Sequence, residues 1–185
     1  MPEPKLPILQ MTKRLVEPPA PAPSDQPQGV KLVASAGSAE IACWVEIQRQ
    51  ALADLPTPVR PPTAADLRRE LLEREGWQAG WLWFAVLPTD EAPASLNTPL
   101  AGGIAVGTVG LSIRAGRDTQ RAVIHRLAVV PQARRRGIGR LLLATAEQAA
   151  WEAGNRQLWL ETHARWEAAV ALYRSQDWEE VQFER

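Results

Sequence analysis

The segment from His125 to Arg140, HRLAVVPQARRRGIGR, combines residue types that suit a phosphorylated ligand. Gly137 and Gly139 allow backbone N–H groups to approach an anion with no Cβ in the way. The apolar residues that follow indicate a helix, whose first N–H groups are unpaired and lie at the positive end of its dipole. The nearby arginines that would attract phosphate are Arg134, Arg135, Arg136 and Arg140. The segment therefore predicts an anion site made mainly of main chain.

The glycine spacing separates this loop from two other phosphate-binding loops. No G-x-G-x-x-G is present, and no G-K-[ST] follows the glycines. The pattern Arg134-x-x-Gly137-x-Gly139, between an apolar strand and a helix, resembles the [QR]-x-x-G-x-[GA] pyrophosphate loop of the GCN5-related N-acetyltransferase (GNAT) superfamily. The resemblance implies acetyl-CoA as the cosubstrate. The residues implied to contact it are Leu127, Ala128, Val129, Arg134, Arg135, Arg136, Gly137, Ile138, Gly139 and Arg140.

A second segment extends the resemblance toward the C-terminus. It matches the family pattern L-x-L-E, then N-x-x-A-x-x-L-Y-x-x-x-G-F, at Glu161, Ala169, Leu172 and Tyr173. It departs from that pattern at three positions, with Trp166 for Asn, Asp177 for Gly and Trp178 for Phe. The family's Asn commonly hydrogen-bonds the CoA arm, and an indole cannot copy an amide. Trp166 is therefore either a residue that packs along the pantetheine arm or a core residue.

The implied chemistry is acyl transfer from a thioester to an amine, and it poses two proton problems. An alkylamine with a pKa of about 10.4 is mostly protonated at neutral pH, so attack needs a base. The departing thiolate benefits from an acid. Tyr173 can supply that proton because a tyrosine pKa of about 10 lies above that of a thiol, about 8.5. The resemblance gives the matching tyrosine this role, and the alternative is a packed tyrosine.

Two residues are candidates for the base. Glu161 lies at a strand end and alternates with Trp159, an apolar neighbour that could raise the carboxyl pKa toward neutrality. The alternative for Glu161 is a solvated carboxylate or one paired with an arginine. His125 is the second candidate, and its alternative is a satisfied, half-buried histidine. Two histidines and one cysteine, dispersed along the chain, make no metal-ligand cluster, so we expect no metal.

The strand before the loop could bind the cosubstrate through its backbone. The resemblance implies that the sheet splays here into a V-shaped slot for CoA. The N–H and C=O groups near Leu127 and Val129 would then pair with the pantetheine amides. One N–H, that of Val129, could hold the oxyanion that forms during acyl transfer.

Composition excludes several classes of protein. The 185 residues carry zero formal net charge, so nothing global indicates nucleic acid or an anionic membrane. A single cysteine, Cys43, permits no internal disulfide and favours a reducing, cytoplasmic setting. The opening residues lack the long apolar run of a signal peptide, and no stretch reaches the roughly 20 apolar residues of a membrane helix.

Pattern along the chain predicts one folded domain. Residues 1–28 are proline-rich and predict a flexible arm or a strap for a partner. Residues 29–185 predict the order β-α-α-β-β-β-α-β-α-β, with a bend or bulge in the glycine-containing strand near residues 100–113. The expected fold class is α/β (α+β). In the GNAT superfamily such an order forms a mixed, mostly antiparallel central sheet flanked by helices.

Three functional hypotheses are compatible with these patterns. The first is an acetyl-CoA-dependent N-acetyltransferase that acts on a small-molecule or peptide amine, as a monomer or as a homodimer. The second is a GNAT-like module that binds acyl-CoA with weak or no catalysis, which the departures at Trp166 and Asp177 motivate. The third takes the arginines 134–136 as a nucleic-acid contact, which zero net charge disfavours. The acceptor loops at 88–99 and 114–120 carry no recognised motif.

Overall fold

The computed structural model describes residues 8–19, 27–35, 40–55, 59–115 and 120–181. The strands are β1 (Ile8–Arg14), β2 (Lys31–Ala34), β3 (Leu82–Leu87), β4 (Pro99–Leu100), β5 (Gly103–Ala115), β6 (Gln120–Val129), β7 (Gln157–His163) and β8 (Glu179–Glu180). The helices are α1 (Ile41–Leu52), α2 (Ala64–Leu67, extended by a π-helical turn over Arg68–Leu72), α3 (Ile138–Glu152) and α4 (Glu167–Arg174).

The strands form one sheet in the order β2-β3-β5-β6-β7-β1-β8, with β4 beside β5. Within the described residues, only the β6–β7 pair is parallel. Helix α3 contacts β3, β5 and β6, and α1 contacts β5 and β6. The expectation of a mixed, mostly antiparallel sheet with flanking helices is therefore confirmed.

The core explains why the apolar runs fold as they do. The run at β3 reads as buried in the sequence, and Leu82, Phe84 and Leu87 are nearly inaccessible in the structure. Helix α3 buries Leu142 and Ala146 against the sheet, because apolar residues three and four apart share one helical face. At the start of α2, Thr63 and Asp66 form a capping box that satisfies two of the unpaired N–H groups.

The N-terminal region differs from the prediction of a flexible arm over residues 1–28. Ile8–Arg14 forms β1, which pairs with β7 along its whole length and with β8 on its other side. Met11 is fully buried, and Lys13 forms a 2.8 Å ion pair with the buried carboxylate of Glu147 on α3. The proline content masked this strand, since the prolines flank the run ILQMTKR rather than interrupt it. Residues 1–7 and 20–26 of the predicted arm lie outside the described residues.

The sheet splays between β6 and β7. The two strands pair at Ala122 with Leu158 and at Val123 with Trp159, and the pairing ends there. Beyond these pairs the strands diverge, so the last residues of β6 keep β5 as their partner on one edge only. The V-shaped slot that the resemblance implies is present in the structure.

A β-bulge bends β6 just where the splay begins. The register between β5 and β6 shifts between Thr108 and Gly110, and Arg126 adopts a positive φ of 49°. The side-chain amide of Gln48 on α1 donates a 2.9 Å hydrogen bond to the Arg126 carbonyl, which holds the bulge in place. Gly110 suits this position because a Cβ would lie 2.6 Å from the side chain of the buried Leu71, which would have to shift. The expectation of a bend near residues 100–113 agrees with this geometry.

Candidate active site

A cleft of about 1800 Å³ opens where β6 and β7 diverge. Its walls are the C-terminal half of β6, the loop before α3, the strand β7 and the helix α4. Both segments that the sequence singled out face this cleft. The lining includes the predicted site residues His125, Leu127, Ala128, Val129, Arg134, Arg135, Gly137, Ile138, Gly139, Arg140, Glu161, Trp166 and Tyr173. Arg136 belongs to the same loop but does not line the cleft.

The loop presents a row of free backbone donors. Within the described residues, the N–H groups of residues 135–140 donate to no protein acceptor, and the first helical bond runs from Leu141 to Gly137. Gly137 precedes α3 with a φ of +79°, and Arg135 also has a positive φ. These left-handed residues turn successive amides toward one side. The loop therefore has the donor arrangement of an anion site.

Gly139 lets the two walls of the cleft approach each other. A Cβ at this position would lie 3.2 Å from Leu172 on α4 and 3.9 Å from Val129 at the end of β6. The first contact is tighter than most Cβ contacts, so a side chain here would require Leu172 to shift by a few tenths of an ångström. The small second glycine of the loop therefore allows the close approach of α3, α4 and β6.

The guanidinium of Arg134 is engaged by the protein itself. It forms an ion pair with Asp54 at 2.6 Å and donates to the carbonyls of Ala51 at 2.9 Å and Val129 at 3.1 Å. These contacts fasten the end of β6 to the end of α1. The sequence assigned this side chain to phosphate attraction, whereas its contacts give it a role in holding the loop.

The other loop arginines differ in whether a carboxylate of the chain pairs with them. Arg136 lies 3.5 Å from the carboxylate of Glu91. Arg135 and Arg140 are exposed and have no ion-pair partner in the described part of the chain. These two side chains are therefore available to a ligand at the loop.

The free edge of β6 supplies a further amide. The N–H of Val130 donates to the carbonyl of Val106 on β5 at 2.9 Å. Adjacent amides of a strand point to opposite edges, so the N–H of Val129 points away from β5 and into the splay. Its carbonyl points the same way and accepts from Arg134. Val129 thus offers a donor, and not a free acceptor, to the cleft.

Tyr173 lies at the inner wall of the cleft. Its ring is 6 % exposed and packs at 6.1 Å from that of Trp178, whose indole N–H bonds the buried Glu147. Burial raises the pKa of the Tyr173 phenol well above its usual value. The hydroxyl therefore keeps its proton at neutral pH, and it has no hydrogen-bond partner among the described residues.

Glu161 is an exposed carboxylate near the end of β7. Gln10, its direct partner on β1, donates to it at 3.0 Å. Gln10 belongs to the segment that the sequence assigned to a flexible arm, so its part in the site was missed. Trp159 lies two residues before Glu161 on β7, so the two side chains are on the same face of the sheet. Both line the cleft.

His125 is a half-buried histidine held by β5. Its Nε2 lies 2.8 Å from the hydroxyl of the buried Ser112. Burial, with smaller effects from the charges of Arg114, Arg74 and Arg126, lowers its pKa to about 3. The ring is neutral at pH 7 but is a weak base.

His163 was missed because it reads as a loop residue in the sequence. It ends β7, is 8 % exposed, and stacks on Trp166 with ring centroids 5.5 Å apart. Its Nδ1 accepts from the N–H of Arg165, which leaves the proton on Nε2. The Nε2 atom and the indole nitrogen of Trp166 are both buried without a partner among the described residues.

Asp177 fits the glycine position that it occupies in the motif. Its φ is +61°, the left-handed conformation that glycine adopts most readily and aspartate tolerates. The N–H of Trp178 then bonds the carbonyl of Tyr173 at 3.1 Å. The departure from glycine therefore leaves the end of α4 intact.

Arginines that the sequence did not single out gather at the other end of the cleft. Arg114 and Arg121 face each other across β5 and β6, and Arg74 follows the π-helical turn of α2. All three line the cleft. No spacing in the sequence joins these segments, so only the folded sheet reveals the cluster.

Two other kinds of feature are absent from the described residues. No group of three or more His, Cys, Asp or Glu side chains could hold a metal ion there. No helix in the same ranges is long and apolar enough to cross a bilayer.

Comparisons with known proteins agree with this geometry. Among curated proteins, none matches the sequence significantly. A GCN5-related N-acetyltransferase from Sphaerobacter thermophilus superposes with a TM-score of 0.66 at 22% identity; the match covers 94% of this chain and 48% of that one. This chain thus spans about half the length of that protein.

Two further solved structures share the fold. One is the NatC complex bound to Gag peptide and CoA, with a TM-score of 0.58 and 21% identity over 80% of this chain and 82% of that one. The other is the ribosomal-protein-S18-alanine N-acetyltransferase of Escherichia coli, with a TM-score of 0.57 and 20% identity over 84% of this chain and 81% of that one. The sequence model of the Acetyltransferase (GNAT) family matches residues 51–178. The chain belongs to the acetyltransferase (GNAT) family.

Proposed function

We propose that this protein is an N-acetyltransferase that moves an acetyl group from acetyl-CoA directly to a primary amine. The observation that carries the proposal is the row of unpaired amides at residues 135–140, at the mouth of the splay between β6 and β7. The loop suits a diphosphate because each oxygen can accept from a main-chain donor at the positive end of α3. Arg135 and Arg140 add charge that no protein carboxylate neutralises within the described residues.

The splay itself would hold the pantetheine arm as an added strand. The N–H of Val129 points into the gap, and the strand edge beyond Val123 has no β7 partner. Trp166 and His163 line the opposite wall. The buried Nε2–H of His163 needs an acceptor, and an amide carbonyl of the arm would supply it. This contact would replace the one that asparagine makes in the family pattern.

The transfer needs only groups that surround the cleft. Acetyl-CoA supplies a thioester carbonyl carbon, to which the amine nitrogen bonds as the C–S bond breaks and the thiolate leaves. The N–H of Val129 is positioned to stabilise negative charge on the carbonyl oxygen. Tyr173, whose phenol is protonated at neutral pH, donates its proton to the leaving sulfur; since burial raises the pKa of the phenol, the transfer depends on the negative charge that develops on the sulfur as the C–S bond breaks.

Glu161 is our candidate for the base. It is the acidic group beside Trp159 on the cleft wall, and it can take the proton of the attacking amine directly or through a water. A pKa of about 3 makes His125 the poorer base at neutral pH. His125 instead braces the β5–β6 bulge through Ser112.

Direct attack is favoured over an acyl-enzyme route. Cys43, the single cysteine, lies on α1 and does not line the cleft. Burial, with a smaller effect from Glu40, raises its thiol pKa, which makes the thiolate less available.

Two measurements test the proposal. Calorimetric titration with acetyl-CoA should give saturable binding, and the melting temperature should rise with ligand concentration as linkage requires. Release of CoA, followed by a thiol reagent over a broad panel of primary amines, should depend on an amine. The absence of both binding and turnover at millimolar acetyl-CoA would contradict the proposal.

The alternative is an acyl-CoA-binding module without efficient catalysis. The observation that favours it is Trp166 at the position where the family pattern has asparagine. Saturable acetyl-CoA binding with no turnover on any amine of the panel would favour this alternative.

A further inference from the structure

We infer that the acceptor is an anionic amine, that is, a primary amine carrying a carboxylate or phosphate that Arg74, Arg114 and Arg121 hold in the cleft. The inference rests on the acetyltransferase function proposed above and adds the charge class of the acceptor. A polycationic amine is excluded by the same arginines.

The register of the sheet places these arginines beside Glu161. Arg114 and Arg121 are direct cross-strand partners on β5 and β6, so both side chains stand on one face. Val123 lies two residues after Arg121, on the same face, and is paired with Trp159 on β7. Glu161 lies two residues after Trp159 and therefore shares that face as well. The basic cluster, the indole and the candidate base thus share one surface of the cleft.

The third arginine is brought to this surface by a close backbone contact. The turn after α2 packs on β5, where the N–H of Ile113 donates to the carbonyl of Gly76 at 2.8 Å. A Cβ at Gly76 would lie 1.7 Å from the carbonyl oxygen of Ile113, so only glycine permits this approach. The contact holds Arg74 close enough to lower the pKa of Arg114, although burial has the larger effect.

Two kinds of arginine line the cleft. Arg69, Arg126 and Arg134 are paired with carboxylates of the chain, namely Asp66, Glu70 and Asp54. In contrast, Arg74, Arg114 and Arg121 form no ion pair in the described ranges. Arg121 instead lies over the ring of Trp159, with its guanidinium carbon 4.6 Å from the centroid.

This arrangement is unfavourable for the protein alone. Like charges directly opposite on neighbouring strands destabilise a sheet, and the pair Arg114 and Arg121 has this geometry. The positive charge also affects His125. Burial has the largest effect in lowering the pKa of His125, and the charges of Arg114 and Arg74 lower it as well. The charge of Glu161 offsets part of this repulsion by raising the pKa of Arg114, but no carboxylate of the described residues lies within ion-pair distance of the three arginines, so a ligand anion would relieve it further.

The cluster also suits the chemistry of an amine acceptor. Positive charge near a bound ammonium lowers its pKa and so increases the fraction of the neutral amine that attacks. An acid group on the same molecule is attracted by the arginines and binds them by charge-assisted hydrogen bonds. One cluster thus orients the acceptor and helps to deprotonate it.

Matched acceptor pairs test the charge class. We would measure kcat/KM with saturating acetyl-CoA for glutamate and its diamide, phosphoethanolamine and ethanolamine, and a C-terminally amidated peptide beginning Ala-Asp-Glu and its amidated Ala-Asn-Gln counterpart. The acidic member of the reacting pair should exceed its neutral partner by about 10-fold or more. Added salt should reduce the ratio, mainly through KM. The three pairs separate a free amino acid, a phosphate ester and a peptide as the source.

Arginine variants connect that preference to the cluster. Arg114→Gln and Arg121→Gln should remove the acidic preference and leave acetyl-CoA binding unchanged, which also verifies that the cleft is folded. Arg68→Gln alters an exposed arginine of the same α2 region that does not line the cleft, and it should keep the preference.

The outcomes separate the inference from the function on which it rests. Equal or faster acetylation of the neutral members, or of a polyamine, would overturn the anionic acceptor and leave the transferase intact. A preference that survives both arginine variants would overturn the role of the cluster. Acetyl-CoA binding without turnover of any pair would contradict the proposed transferase and the acceptor inference together.

Discussion

The two ends of the cleft use different parts of the chain. At the end near α3, the donors are main-chain amides of one continuous loop, residues 135–140, with the Val129 amide beside them. At the opposite end, the functional groups are side chains of five separate segments, from Gln10 on β1 to Glu161 on β7. A ligand common to a whole family can be held by backbone, whereas a ligand particular to one protein needs side chains.

The two ends of the cleft should also differ in the substitutions that they tolerate. Backbone donors depend on φ and ψ, so their binding depends on glycines and little on neighbouring side chains. Side-chain donors can change one at a time without altering the fold. We therefore expect variants of the loop to affect acetyl-CoA binding for every acceptor, and variants of the basic end to affect only the choice of acceptor.

The largest effect should come from Gly137→Val. Valine strongly disfavours the left-handed φ of +79°, so the loop amides should lose their common direction, and acetyl-CoA affinity should fall at least about 100-fold. Titration calorimetry measures the affinity. Gly154→Val is the matched control, because Gly154 has a φ of +81° at the far end of α3 with nothing within 4 Å of its Cβ position. Both should lower stability by about 1–2 kcal/mol, but unchanged acetyl-CoA affinity in Gly137→Val would contradict the backbone account.

Tyr173→Phe should have the next largest effect, on turnover alone. The ring stays packed against Trp178, while the proton for the leaving thiolate is lost, so kcat should fall about 100-fold or more. Acetyl-CoA affinity should be unchanged. An unaltered kcat would remove the acid role and leave Tyr173 as a packing residue.

Glu161→Gln should lower kcat by about 100-fold at neutral pH, because the amide cannot accept the proton of the amine. The hydrogen-bonding partner Gln10 offers a control in Gln10→Ala, which removes the 3.0 Å bond but leaves the carboxylate. That variant should lose much less activity. Equal losses of kcat in the two variants would indicate that Glu161 holds the site together through its bond to Gln10 and does not act as a base.

The smallest effect concerns pH and His125. Its folded pKa of about 3 lies below the unfolded value of about 6.5, so the unfolded state binds more protons between these limits. Stability should fall as the pH drops below 6.5, with a slope of up to about 1.4 kcal/mol per pH unit from this group. Urea unfolding at pH 7 and pH 5 should show a smaller fall in His125→Gln. An identical fall in the free energy of unfolding in the variant would show that His125 is not the source of this pH dependence.

The sequence predicted the two ends of the cleft unequally. The loop was readable because its glycines, its preceding strand and its helix are contiguous, and the motif around Glu161 and Tyr173 lies on one strand and the next helix. The basic end was not readable, since Arg74, Arg114 and Arg121 come together only through the register of β5 with β6 and the turn at Gly76.

Two local features could not be read from the sequence, for equally physical reasons. Proline content favoured an arm over residues 1–28, yet the proline-free run over residues 8–17 is long enough to hold the seven-residue strand β1. Arg134 reads as a phosphate ligand by its motif position, and that role stays a prediction; its 2.6 Å ion pair with Asp54 forms only because α1 packs beside β6. Neither the pairing of β1 in the sheet nor the Arg134–Asp54 ion pair has a signature in the local sequence.

A crystal structure with CoA bound would show whether the loop amides hold the diphosphate. We expect diphosphate oxygens within hydrogen-bond distance of main-chain amides between Arg135 and Arg140, and a pantetheine arm lying along the free edge of β6. A diphosphate held elsewhere, or loop amides bonded to the protein in its presence, would contradict it.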